Sequence, residues 1–420
     1  MKERLKKLIA EYWDTKPDYV PRNIVPKDLA KMPLVITGPR RAGKSYTIHE
    51  LRDSLLGQEN ARNSIYLNFE DERLIGFKQG DFETILEAYY ELRNEKPTLF
   101  LDEIQNIDGW EKFARRLSDT GYHAIATGSN SRMLSREIAG QLGGRFANFA
   151  VYPLNFREFM KFNKFHFKEE HMYSKERLEI QKMFGDYFQY GGFPNISILS
   201  AEPSRRNLLD VYFSLVFYRD VVSRNAIKNE GALKFLVKRL RENIGNIISP
   251  RALYASLKAA DIQVGPNTVE NYLDYLEEAF LILPCFPFEK SVLKQEKKKR
   301  YFVDNGYLKI FDVKGDNGIL LENLVFTELL KYGKQVHYYK GKRECDFIVD
   351  ASEAIQATYL LSESNHKREI EGIAEASKFH GLDRATIVTW NQEKEIEHEG
   401  LKISVVPAWK WCLSLRKEQG

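Results

Sequence analysis

The 420-residue chain lacks a long apolar run. Its longest, Ala279 to Phe288, is ten residues and carries Pro284 and Pro287, whereas a membrane-crossing helix needs roughly 20 apolar residues. No membrane partner is expected. Cysteine is scarce: Cys285, Cys345 and Cys412 lie far apart without CxxC spacing, which argues against a disulfide framework or structural zinc and for ordinary buried thiols. Charge of one sign is scarce too. The 63 Lys and Arg against 59 Asp and Glu leave a formal net charge of +4, so a polyanion-binding surface would have to come from local clustering. The start, MKERLKKLIAEYW, has no apolar core or small-residue cleavage site, so a signal peptide is not expected. These absences point to a cytoplasmic globular protein, and the length suggests about three domains.

Against this background one stretch carries chemistry. Leu34 to Thr37 is a β-branched apolar run suited to a strand buried on both faces, and Ser45 to Leu56 puts Ile48, Leu51 and Leu55 on one helical face. Between them, Gly38-Pro39-Arg40-Arg41-Ala42-Gly43-Lys44-Ser45 has the spacing GxxxxGKS. Glycines let successive N–H groups turn toward phosphate oxygens, and the following helix adds its positive end. Residues 38 to 45, with Tyr46, are the candidate nucleotide-binding set. Lys44 is expected to reach the β- and γ-phosphates and Ser45 to hold Mg²⁺, which makes ATP and Mg²⁺ the expected cofactors.

Such a loop needs a second strand ending in an acid. Thr98 to Asp102 provides it 57 residues after Ser45, with Asp102 on the metal side and Glu103 placed to polarise an attacking water. A third strand, His123 to Thr127, runs into Gly128-Ser129-Asn130. Ser129 or Asn130 is a candidate γ-phosphate sensor; the same residues also suit a turn capping the next helix. Asn63 to Phe69 completes the buried strands, and Glu70 and Asp71 after it read as solvent-facing.

The runs GPRRAGKS, LDEIQ (101 to 105), TGSN (127 to 130) and LGGRFANFAVYPLNFREF (142 to 159) resemble archaeal and bacterial AAA-type ATPases whose C-terminal half is catalogued as a domain of unknown function. YGGFP (190 to 194), YRD (218 to 220), YFVDNGYL (301 to 308), LLENLVFTELL (320 to 330) and ECDF (344 to 347) extend the likeness over nearly the whole chain. The resemblance implies a catalytic role for Arg145, in cis or from a neighbouring copy in a homo-oligomer. A salt bridge beside the last core strand is the other reading of that arginine.

Beyond Pro153 the sequence turns helical and aromatic, which predicts a lid over 154 to 227 with Phe156, Phe159, Phe184 and Tyr187 in its core. Residues 228 to 295 read as a winged helix-turn-helix: three helical patterns, a turn at Gln263 to Pro266, then an apolar hairpin. The helix after that turn, the would-be recognition helix, offers Asn267, Thr268 and Asn271 to DNA but also Glu270, Asp274, Glu277 and Glu278, which repel phosphate. Lys234, Lys238, Arg239, Arg241, Arg251, Lys258 and the run LKQEKKKR (293 to 300) could grip a backbone without reading sequence. DNA contact and a packing role both stay open.

Residues 296 to 420 resemble the restriction-endonuclease-like fold through Glu322 on a helix, Asp346 on a strand and Gln356 ten residues later. Thr358 stands where that pattern has lysine, and Gln356 replaces a carboxylate. This predicts a degenerate nuclease site that binds DNA or a partner rather than cleaving. Ala385 to Thr389 and Ile403 to Val406 read as sheet edges, and Trp409 and Trp411 as packing anchors. The expected architecture is an α/β P-loop NTPase core of AAA type over 1 to 153, then the helical lid, the winged helix-turn-helix and a C-terminal α/β nuclease-like domain. The expected function is Mg²⁺-dependent ATP hydrolysis coupled to a DNA- or partner-binding half. The alternatives are a DNA-binding protein or nuclease regulated by ATP, and a nucleotide-gated switch acting on proteins.

Overall fold

The computed structural model describes residues 1–15, 17–57, 60–134, 136–289, 297–310 and 316–416. They fall into two compact units that divide after Val151.

In the first unit, β1 (Leu34–Thr37), β2 (Ser64–Asn68), β3 (Thr98–Asp102), β4 (Ala124–Gly128) and β5 (Ala147–Ala150) form one sheet in the order β2-β3-β4-β1-β5. Every pairing is parallel, so each strand must be regained through a crossover and the C-terminal ends of all five lie along one border. Helices Lys44–Leu56, Phe82–Tyr90 and Trp110–Asp119 supply crossovers. The last shows why it docks: Trp110, Phe113, Ala114 and Leu117 are buried at helical spacing, and burying each large apolar side chain favours the fold by roughly 1.5–3 kcal/mol. Strand β4 begins and ends one residue later than the sequence pattern suggests, because Gly128 still pairs with Thr37.

The second unit starts with helices Phe156–Phe162, Glu176–Tyr190 and Glu202–Leu215, the last continuing into a π-helical stretch Val216–Ser223. Asn155 opens the first by accepting from Glu158 N while the Glu158 carboxylate accepts from Asn155 N, a reciprocal cap. Phe156, Phe159, Phe184 and Tyr187 are buried as expected. Three further helices, Glu230–Glu242, Pro250–Ala259 and Pro266–Glu278, precede eight strands. These are β6 (Ile282–Pro287), β7 (Lys299–Phe302), β8 (Val336–Lys340), β9 (Glu344–Val349), β10 (Glu353–Ala357), β11 (Arg384–Thr389), β12 (Lys394–His398) and β13 (Leu401–Pro407). Their order is β12-β13-β11-β10-β9-β8-β6-β7. Helix Asn317–Lys331 precedes β8, and helix Glu363–His380 connects β10 to β11.

Three expectations change here. The hairpin β6–β7 does not stand free as a wing: β6 also pairs with β8 at Phe286–His337 and Pro287–Tyr338, so the hairpin extends the eight-stranded sheet. The boundary expected after residue 295 thus falls between two strands that pair with each other. Second, β11 and β13 are internal strands: β11 pairs with β10 on one side and β13 on the other, and β12 pairs outside β13 and exposes Lys394, Glu395 and Glu397. Third, Lys298, Lys299 and Arg300 of the basic run are not phosphate grips. Lys298 and Arg300 both meet Glu277, at 3.1 and 3.0 Å, and Lys299 is fully buried. Leu293 to Glu296 of that run lie outside the described residues.

Two of the quoted phrases explain each other inside this unit. Asp304, in YFVDNGYL, is buried and accepts from Gly192 N at 2.8 Å and Gly306 N at 2.9 Å, which ties the YGGFP turn to the end of β7. Gly191 has φ +75, and a Cβ there would sit 1.5 Å from Asp304 Oδ1, so the turn needs a residue without a side chain. Asn323 extends the staple by accepting from Phe302 N and donating to Asn305 Oδ1. Cys285, Cys345 and Cys412 are free and buried, and Trp409 and Trp411 are core residues.

Candidate functional site

At the C-terminal border of the first sheet the loop after β1 turns back over the strand ends. Gly38 takes φ +151, and a Cβ on it would lie 2.0 Å from Val151 O, so the backbone approaches as only glycine allows. Lys44 opens the following helix, and its first-turn amides have no carbonyl four residues back within the helix. The Lys44 ammonium is 4% exposed; it donates to Gly38 O and Pro39 O, both at 3.2 Å, and lies 3.4 Å from Glu103 Oε1. Arg40 pairs with Glu70 at 2.7 Å, Arg22 donates to Ala42 O at 2.9 Å, and Tyr46 is half exposed.

The two acids sit in different surroundings. Asp102 is fully buried, with Thr127 donating to Oδ1 and Tyr66 donating to Oδ2 at 2.9 Å. Burial and the neighbouring Glu103 charge push its carboxyl up, against the hydrogen bonds from Thr127, Ser45 and Tyr66. Glu103 feels burial as well, but the Lys44 charge and the Gln105 hydrogen bond outweigh it and hold Glu103 down at about 2. Glu103 is therefore ionised at neutral pH. Gln105 Nε2 donates to Glu103 Oε2 at 2.6 Å and to Ser129 Oγ at 3.3 Å, joining the second strand end to the third.

The residue types fit a magnesium nucleotide. Ser45, which hydrogen-bonds to Asp102, and the Asp102 carboxylate are hard oxygen donors. The Thr37 hydroxyl at the loop entrance is buried without a hydrogen-bond partner, a polar group awaiting one.

Gly38 to Tyr46, Asp102 and Glu103 are thus brought together, while Asn130 and Arg145 are not joined to them. Asn130 Oδ1 accepts from Arg132 N at 2.8 Å, the turn-capping alternative, and Ser129 is the residue linked to Glu103 through Gln105. Arg145 pairs with Asp119 at 2.5 Å and is largely exposed. Sequence reasoning missed Tyr66, Thr127, Gln105 and Arg22. Thr127 and Gln105 lie within the quoted phrases TGSN and LDEIQ, but Thr127 meets Asp102 at the end of another strand, and Gln105 joins Glu103 of its own phrase to Ser129 beyond β4.

In the second unit Glu322, Asp346 and Gln356 also converge, lining a cavity of about 350 Å³ with Glu369, Lys342 and Arg343. Beneath them lies Lys299, which sequence reasoning passed over as one cation in a run. Its ammonium is 2.7 Å from Glu344 Oε1 and 3.7 Å from both Glu322 Oε1 and Asp346 Oδ1. Burial would lower its pKa, but the carboxylates of Glu322, Asp346 and Glu344 hold it well above the usual lysine range.

Two family models match stretches of the chain. Residues 30–160 match a family model described as an AAA domain, and 181–314 match one described as a domain of unknown function. The chain is 34% identical over 412 residues to the uncharacterized protein MJ1544 of Methanocaldococcus jannaschii, covering 95% of this chain and 92% of that one. It is 31% identical to an uncharacterized protein of Haemophilus influenzae, covering 89% and 93%. Among solved structures it is similar to the Walker-type ATPase PABY2304 of Pyrococcus abyssi, at 13% identity and TM-score 0.40 over 74% of this chain and 95% of that one. The Aeropyrum pernix ORC1 protein, solved in complex with DNA, gives 10% and 0.35 over 78% and 92%. With an AAA domain at its N-terminal end and MJ1544 aligned along almost its whole length, the chain belongs to the family of AAA-domain proteins that includes MJ1544.

Proposed function

We propose that residues 1–151 bind and hydrolyse ATP with Mg²⁺ and that residues 152–420 engage DNA or a protein partner according to the nucleotide state. One observation carries the first part. The loop lysine, the helix-start serine and two differently tuned acids meet at the C-terminal border of a parallel sheet, with Lys44 3.4 Å from Glu103.

In this reading the loop amides and Lys44 hold the phosphates, so Lys44 exchanges Gly38 O, Pro39 O and Glu103 for phosphate oxygens. Mg²⁺, when bound, would neutralise and orient the phosphate oxygens. Ser45 and Asp102 would hold it, with Asp102 kept in place by Thr127 and Tyr66. Glu103, freed from Lys44, keeps Gln105 as its partner and accepts a proton from the attacking water. Arg145, being exposed, is available to a second copy of the chain.

The test is ATP turnover by the Lys44→Ala variant with and without duplex and single-stranded DNA. Loss of turnover is the expected result; unchanged turnover would refute the site. Stimulation of the native chain by DNA supports a DNA partner, and indifference to DNA leaves the protein-partner form of the reading.

A further inference from the structure

The metal implied by the restriction-endonuclease resemblance does not fit the residues that would hold it, and the reason is Lys299. We infer that Lys299 is a built-in cation that fills the carboxylate cluster of Glu322, Glu344 and Asp346. The native cleft then takes no divalent ion, and loss of that one ammonium turns it into a divalent-cation site.

The carboxylates come from two elements, Glu344 and Asp346 from β9 and Glu322 from helix Asn317–Lys331. Lys299 enters from β7, where its backbone is fixed on both sides by pairing with Cys285 of β6 and a bridge to Ile247. Its side chain is fully buried, and all three carboxylates lie within 3.7 Å of the ammonium. Convergent carboxylates with no cation among them repel one another, so a buried point charge at their focus does what a hard metal ion would do.

The neighbouring oxygens have partners of their own. Asp346 Oδ2 accepts from Ala357 N at 2.9 Å, Glu344 Oε2 accepts from Lys340, and Glu322 Oε1, the oxygen that faces Lys299, also accepts from Tyr301 OH at 2.8 Å. Gln356, the neutral replacement for a ligand, is used at both ends: Oε1 accepts from Asp346 N at 3.1 Å and Nε2 donates to Glu369 Oε2 at 2.7 Å. Among the described residues no group of three or more His, Cys, Asp or Glu is arranged to hold a metal. A divalent ion entering the cavity would face the ammonium as a like charge and would have to break these bonds. The lysine missing at Thr358 is therefore not restored in role by Lys299, which lies under the acids instead of facing the cavity.

The test uses the full chain without nucleotide and Mn²⁺ as the probe, with free Mn²⁺ counted by electron paramagnetic resonance. The native chain and Asp346→Asn should bind the same amount, since the cleft holds none. Lys299→Ala and the better-shaped Lys299→Gln should each gain about one Mn²⁺ per chain, and adding Asp346→Asn should abolish the gain. Native Mn²⁺ binding that disappears in Asp346→Asn would overturn the inference, as would folded Lys299 variants that gain no site. Should both variants unfold without metal, refolding in Mn²⁺ supports the inference and failure to refold counts against it. Supercoiled DNA in the same tubes should stay intact with the native chain; nicking lost in Asp346→Asn would also overturn it.

Discussion

At the scale of single residues, the first unit separates two adjacent acids by what surrounds each. Glu103, held at about 2 by Lys44 and Gln105 despite burial, is ionised at neutral pH, and its basicity rises in the proposed mechanism once Lys44 turns to phosphate. Replacing it by Gln should leave ATP affinity within a few-fold and lower turnover roughly 10²- to 10⁴-fold, read from kcat and from equilibrium nucleotide binding. His49 offers a pH test. Buried beside Tyr12, whose hydroxyl is 3.1 Å from Nδ1, it is pushed down to about 4 by burial and by the Arg52 charge. Its folded pKa lies below its unfolded one, so between those values the unfolded chain binds the extra proton and stability rises with pH. Chemical denaturation should show stability falling by up to about 1.4 kcal/mol per pH unit from 6.5 down toward 4, and His49→Gln should remove that share of the slope. Lys44 and Ser45 were legible in the sequence because one short spacing carries them, and Asp102 because it closes the apolar run that such a loop needs. Tyr66, Thr127 and Lys299 were not, since each gains meaning only from a neighbour brought in by another strand.

At the scale of elements, legibility followed the kind of pattern. Four of the first sheet's five strands could be read within a residue, since apolar runs bounded by glycine or acids define buried parallel strands, whereas β5 was given no bounds. The identity of edge and centre in the second sheet could not. Arg384–Thr389 and Leu401–Pro407 look alike whether flanked on one side or two, and only the pairings decide: β11 lies between β10 and β13, and β13 between β11 and β12. The phrases YGGFP and VDNG were visible, but their purpose as two halves of a staple was not. Asp304→Ala would strand two buried amides, and at roughly 1–3 kcal/mol for each unsatisfied group the loss should be about 2–6 kcal/mol by chemical denaturation. Gly191→Ala should be at least as damaging, because backbone strain is added to the contact with Asp304.

At the scale of the whole molecule, each unit has apolar clusters of its own. Val35, Leu101 and Phe113 belong to a cluster confined to the first, and Phe193, Tyr301 and Trp409 to one confined to the second. A fragment of residues 1–151 should therefore fold alone, with one cooperative denaturation transition followed through Trp13 and Trp110, and should retain ATP binding. Residues 152–416 carry the opposite lesson: the sequence suggested three successive domains, while the chain packs them as one unit because the second sheet and the YGGFP turn share a core. Finally, the eight-stranded sheet ends at one border in β12, with Lys394, Glu395 and Glu397 turned outward, and at the other in β7, partly covered at Lys299 by Ile247. Such borders resist fibril-like growth by strand addition, so this sheet is poorly suited to being lengthened by a strand from a second copy.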